Sequence, residues 1–135
     1  MKLKVLLVED NDGDVFLVHE ALRTHGLEYE MDVLSDGLEV ERYIERLINA
    51  PEGASPDIVL LDLNIPRADG HDILGSFRSL PACAEMPVII LTSSDSPKDR
   101  KKAELLGATA YFRKPSDLVE FLSLGEIVKG FAGTK

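Results

Sequence analysis

Five short, largely apolar runs recur along this chain: LKVLLV at 3–8, MDVL at 31–34, DIVLL at 57–61, PVIIL at 87–91 and ATAYF at 108–112. Their brevity and β-branched content favour strands, and their lack of polar alternation leaves no wet face. Strands buried on both sides need a sheet covered twice, which a parallel sheet flanked by helices supplies. The intervening stretches fit that cover. Val15, Val18 and Leu22 recur at helical spacing before Gly26, and Leu38, Tyr43, Ile44, Leu47 and Ile48 do so before NAPEGASP at 49–56. A third helix is predicted from about His71 to Ser79. A fourth has start chemistry, with Ser96 as cap, Pro97 at the first helical position, Asp99 where a capping box places its acid, and Gly107 as terminator. The last is predicted from about Asp117 to Gly130, with Leu118, Phe121, Leu122 and Val128 along one side. The alternation predicts an α/β fold: a doubly wound, five-stranded parallel sheet with helices on both faces and right-handed crossovers.

With 135 residues, one domain over 1–135 is expected, and NAPEGASP reads as a loop because too little chain flanks it for two cores. No window approaches the ~20 apolar residues of a membrane span. The opening MKLKVLLVED lacks a small-residue cleavage site, so a cytoplasmic protein is expected. A net charge of −9 argues against nucleic-acid binding, which draws its affinity from cations, and Lys98, Arg100, Lys101 and Lys102 read as a solvated helix face. Cys83 has no disulfide partner or companion ligand, and no pair among His19, His25 and His71 shows metal-ligand geometry with a third ligand.

In open parallel sheets, ligands bind beyond the carboxyl ends of the strands. The polar residues there are Glu9, Asp10 and Asn11 after the first run, Asp62 and Asn64 after the third, Thr92, Ser93 and Ser94 after the fourth, and Arg113, Lys114 and Pro115 after the fifth. Each has a plain reading as a cap, turn or surface charge when taken alone. Brought together, Glu9, Asp10 and Asp62 would raise one another's pKa unless a cation answered them. Oxygen ligands with room for water favour Mg²⁺, with Mn²⁺ as a substitute. Thr92 adds a hydroxyl and Lys114 a compact cation, a set suited to stabilising a phosphoryl group with a carboxylate as nucleophile.

VEDN at 8–11, LLDLNIPRADG at 60–70, LTSS at 91–94 and AYFRKP at 110–115 resemble the receiver domain of two-component response regulators, the CheY-like fold. The resemblance implies a strand order of 2-1-3-4-5. It implies Asp62 as phosphoacceptor, Glu9 and Asp10 as the acidic pair, and Asn64 as a metal ligand through its backbone carbonyl. It further implies Thr92 as switch hydroxyl, Tyr111 as switch aromatic, and Lys114 as the lysine that contacts the acyl phosphate, with the Lys114–Pro115 bond cis. Glu9 departs from the pattern, since many receivers carry aspartate there, and its longer side chain is expected to reach the ion through water. VEDNDGD followed by VFLVHEAL is similar to small receivers that partner bacterial phytochrome-type histidine kinases. The implied function is a stand-alone response regulator with no output domain. It would take a phosphoryl group from a sensor histidine kinase, hydrolyse it, and change its affinity for a downstream protein, with light as a candidate signal.

Two other classes fit less well. An aspartate-nucleophile phosphatase wants a second acid two residues after the nucleophile, where this chain has Asn64, and a flavodoxin-like module wants a phosphate-cradling loop where VEDNDGD offers acids. Finally, Phe121, Leu124, Ile127 and Phe131 supply more apolar surface than one small helix needs. They are a candidate homodimer or partner face through the fourth helix, fifth strand and fifth helix, or else they tuck against a neighbouring helix.

Overall fold

The computed structural model describes residues 2–50 and 54–132; the middle of the predicted 49–56 loop lies outside the described residues. The central sheet is built from β1 (Leu3–Val8), β2 (Tyr29–Leu34), β3 (Ile58–Leu61), β4 (Val88–Thr92) and β5 (Ala110–Arg113). All pairs are parallel, and the order across the sheet is β2-β1-β3-β4-β5. The crossovers carry α1 (Asp12–Thr24), α2 (Gly37–Ile48), α3 (Gly70–Arg78) and α4 (Pro97–Leu105). The chain closes with α5 (Leu118–Leu122) and α6 (Leu124–Ala132). This is the CheY-like, doubly wound arrangement.

Burial follows position in the sheet. Every residue of β3 and β4 is buried, as is almost all of β1. The edge strands differ from expectation: β2 alternates half-buried and exposed residues over most of its length, and β5 is half-buried throughout except for exposed Arg113. Each has a neighbour on one side only, so a continuous apolar run did not guarantee two covered faces. Two core layers result. One packs Leu6, Val59, Leu61 and Ile90 against Leu74 and Phe77 of α3; the other packs Leu7, Leu60, Ile89 and Leu91 against Val18 and Leu22 of α1 and Phe121, Leu124 and Val128 of the closing helices.

That second layer corrects two expectations. Phe121 and Leu124 are 1% and 0% exposed, and Ile127 and Phe131 pack half-buried against the same cluster, so the expected partner face is largely the chain's own core. Conversely Leu118, expected on the core side, is exposed at the start of α5. The single helix predicted over 117–130 is two. Ser123 caps α5, and its hydroxyl donates to the Glu120 carbonyl, an alternative to continuing the helix. Beyond the break, Gly125 lies so close to α1 that a Cβ there would collide with the Ala21 carbonyl and the His25 ring.

After Asp62 the chain forms a two-residue ribbon, Asn64–Ile65 against Ala68–Asp69, turned by Pro66 and by Arg67 at φ 66°. The ribbon returns the chain to Asp62. Gly70 donates its N–H to the Leu63 carbonyl at 3.0 Å, and a Cβ at this position would come within 2.9 Å of the Asp62 carbonyl. Glycine is therefore what lets α3 start against the backbone of the acid.

Candidate functional site

The site is assembled by pairing that continues past the strand ends. Asp62 donates its N–H to the Val8 carbonyl at 3.0 Å, Glu9 to Leu34 at 2.9 Å, and Lys114 to Thr92 at 2.7 Å. Each of these residues stands just after its strand, anchored by backbone bonds, with its side chain at the carboxyl edge. The side chains of Glu9 and Asp62 are almost fully buried, and that of Lys114 is 10% exposed. Asp62 Oδ1 accepts the Asn64 N–H at 3.0 Å, and its Oδ2 accepts from Lys114 Nζ at 3.1 Å. Glu9 Oε2 accepts the Asn11 N–H at 3.3 Å. Glu9 Oε1 lies 2.5 Å from Lys114 Nζ as an ion pair, but the approach lacks hydrogen-bond alignment and leaves this buried oxygen without a hydrogen-bond partner. Asp10 is exposed and lines an open cleft with Asn64, Asp69, His71 and Asp99.

Glu9, Asp10 and Asp62 each present a carboxylate oxygen, all within 4.8 Å of one another. Burial chiefly, with the charge of Asp62 adding and Lys114 opposing, pushes the Glu9 carboxyl up to about 7. Burial alone would lower the Lys114 pKa, but the close contacts with Asp14 and Glu9 and the charge of Asp62 outweigh it and hold the ammonium well above its ordinary value. One ammonium thus faces three acids, Glu9, Asp14 and Asp62. The donor set fits a divalent cation on two observations: the carboxylates converge, and the buried Glu9 Oε1 has Lys114 as an ion-pair partner but accepts no aligned hydrogen bond. All the oxygens are hard donors, which suits Mg²⁺ or Mn²⁺.

Thr92 is fully buried, and its Oγ1 accepts the Ser94 N–H at 3.3 Å. Tyr111 is half-buried, donates its hydroxyl to the Ser94 carbonyl at 3.1 Å, and has the Arg100 guanidinium 4.6 Å from its ring centre. Among the described residues no peptide bond is cis, so the Lys114–Pro115 bond is trans, contrary to expectation. Trans is the intrinsic preference of such a bond by about 0.5–1 kcal/mol, and Lys114 reaches all its partners from it.

Sequence reasoning gave three residues in or beside the site no part in it. Asp14, in the first turn of α1, holds Lys114 Nζ at 2.7 Å. Ser94 completes the α4 cap: its hydroxyl accepts the Ser96 N–H at 3.3 Å and donates to Asp99 Oδ2 at 2.6 Å, so the capping box closes through a third side chain. His71, buried, sets Nδ1 3.2 Å from Asp69 Oδ1 and Nε2 3.1 Å from the Asp99 carbonyl, tying α3 to α4. The only signals available were the acid-rich VEDNDGD for Asp14 and the hydroxyl run TSSDS for Ser94.

A doubly wound sheet with acids, a hydroxyl and a lysine on one edge is the arrangement of a signalling receiver domain. The chain belongs to the response regulator receiver domain family, whose model matches residues 5–124. It is 30% identical over 127 residues to the response regulator Rcp1 of Synechocystis sp., covering 94% of this chain and 86% of Rcp1. Its fold superposes on the phosphorylated cyanobacterial phytochrome response regulator RcpA with a TM-score of 0.86 and 31% identity, covering 100% of this chain and 97% of RcpA. The Mn²⁺-bound form of Rcp1 gives 0.82 and 30% identity over 96% and 94% of the two chains. The receiver domain of a Pseudomonas aeruginosa sensor histidine kinase, with magnesium in its active-site cleft, gives 0.75 and 27% identity over 98% and 99%. No helix among the described residues is long and apolar enough to cross a membrane.

Proposed function

We propose that this chain accepts a phosphoryl group on Asp62 from the phosphohistidine of a sensor histidine kinase, of phytochrome type as the names of its relatives suggest, and works in the cytoplasm. The observation that carries the reading is a nearly buried aspartate held from both sides, by the Asn64 N–H on Oδ1 and the Lys114 ammonium on Oδ2, beside two further acids. In the transfer, an Asp62 oxygen bonds to phosphorus as the phosphorus–nitrogen bond breaks, and the departing imidazole keeps that electron pair. Glu9, Asp10, Asp62 and the Asn64 carbonyl would hold Mg²⁺, or Mn²⁺ in its place, and the ion would neutralise charge on the phosphoryl oxygens. Lys114 answers a phosphoryl oxygen as a point charge. Water later hydrolyses the acyl phosphate within the same site.

The phosphoryl group adds about −1.5 to −2 charge beside Thr92 and Lys114. Thr92 turns its hydroxyl from the Ser94 N–H to that group, and the freed loop resets Tyr111 and α4. Output is a changed affinity for a partner around α4, β5 and α5, either a downstream protein or a second copy of the chain. Acetyl phosphate with Mg²⁺, followed by intact-mass analysis, tests the core of this reading. Wild type should gain one phosphoryl group and Asp62→Asn none; equal labelling of both moves the acceptor elsewhere. Sedimentation before and after labelling separates the two kinds of partner.

A further inference from the structure

Lys114 is held by three carboxylates from three parts of the chain: Glu9 after β1, Asp62 after β3, and Asp14 in the first turn of α1. Glu9 and Asp62 belong to the set that converges for a cation; Asp14 does not. A bound divalent ion would draw the oxygens of Glu9 and Asp62, and phosphorylation makes one Asp62 oxygen the bridging oxygen of an acyl phosphate. Asp14 is then the one acid of the three whose charge stays available to the lysine. Its position is fixed locally. Asn11 caps α1 by accepting the Asp14 N–H at 2.9 Å, so the backbone that carries the carboxylate is pinned close to the site's acidic pair. The 2.7 Å contact with Nζ is shorter than the 3.1 Å contact from Asp62.

We propose that Asp14 is a positioning residue for phosphoryl transfer: it anchors the Lys114 ammonium so that the lysine stays aimed at Asp62 when the other two carboxylates are engaged. The inference rests on Asp62 being the acceptor. Asp14 touches neither the acceptor nor the metal set, and its effect passes entirely through Lys114. A four-carbon stem left with one tether fewer samples other directions, and charge-assisted bonds of this kind are worth a tenfold or larger change in rate, on the order of their usual strength.

The test uses the full chain with acetyl phosphate, Mn²⁺ binding and NMR of the lysine ammonium. Asp14→Asn should slow Asp62 labelling at saturating metal by roughly tenfold and change Mn²⁺ affinity by less than about threefold, whereas Asp14→Glu should keep part of the wild-type rate. In a Lys114→Met background, Asp14→Asn should add nothing. In metal-free protein, the slowly exchanging Lys114 Nζ–H signal of wild type should broaden or vanish in Asp14→Asn while the folded backbone spectrum persists. An equal or faster labelling rate in Asp14→Asn, the same loss in the Lys114→Met background, or a fall in Mn²⁺ affinity that matches the fall in rate would overturn the anchoring role. Failure of wild type to label on Asp62 overturns the acceptor reading instead, and the ammonium signal then still decides whether Asp14 holds the lysine.

Discussion

Replacing Glu9 by Gln should stabilise the metal-free protein at neutral and alkaline pH and should do nothing at low pH. Glu9 is 1% exposed, and burial pushes its carboxyl from 4.5 to about 7. A carboxyl raised in the folded state favours folding most while protonated, so this contribution is full below 4.5 and is lost as pH climbs through 7. Each pH unit between those two values is worth about 1.4 kcal/mol, which makes the loss across the window about 3 kcal/mol. Glutamine mimics the protonated acid in shape and charge and carries no such dependence. The stability difference, variant minus wild type, is therefore near zero at pH 4.5, grows by about 1.4 kcal/mol for every pH unit, and levels at about 3 kcal/mol above pH 7. Urea melts in EDTA from about pH 4.5 to 8.5 read it directly, and the subtraction cancels the titrating groups that do not interact with Glu9. Saturating Mn²⁺ should reverse the order, because wild type gains a ligand the variant lacks. A difference that stays flat with pH, or a wild type more stable than the variant at about pH 8 in EDTA, would refute the claim that Glu9 is a charge the fold holds at a loss.

Arg67 occupies φ 66° at the turn of the ribbon, where Gly is the natural residue, so Arg67→Gly should gain about 1 kcal/mol and raise Tm by about 2–5 °C by calorimetry. Gly125→Ala should lose about 2–4 kcal/mol in chemical denaturation, because the new methyl meets the Ala21 carbonyl, which is backbone and cannot swing aside. Ser94→Ala removes the hydroxyl shared by Ser96 and Asp99 and should lose about 1–2 kcal/mol, with faster amide exchange in the first turn of α4. Unchanged exchange there would mean that the α4 cap does not depend on the Ser94 hydroxyl.

The buried runs revealed the sheet because a strand covered on both faces has no polar option. The same signal overstated β2 and β5, whose edge position depends on strand order, and that order came from the motif resemblance. Glu9, Asp10, Asp62, Thr92 and Lys114 were legible because parallel pairing delivers all strand ends to one edge. Asp14 was not, since an acid in the first turn of a helix is already explained by the macrodipole. Nor was the break at Ser123: the apolar spacing runs on unbroken, and only contact between Gly125 and α1 shows why the axis must reset there. Ser94 was seen as a strand-end hydroxyl but its linking role was not, because the Tyr111 hydroxyl that its carbonyl accepts comes from β5, seventeen residues on.

Ser94 has no slack. Its N–H goes to Thr92, its carbonyl receives Tyr111, and its hydroxyl both accepts from Ser96 and donates to Asp99. A residue with every polar group engaged cannot yield by degrees, since each part-turn strands several donors and acceptors together. The loop between β4 and α4 is therefore built to sit in one bonded arrangement or jump to another, and its output should be digital even where the chemical input at Asp62 is graded.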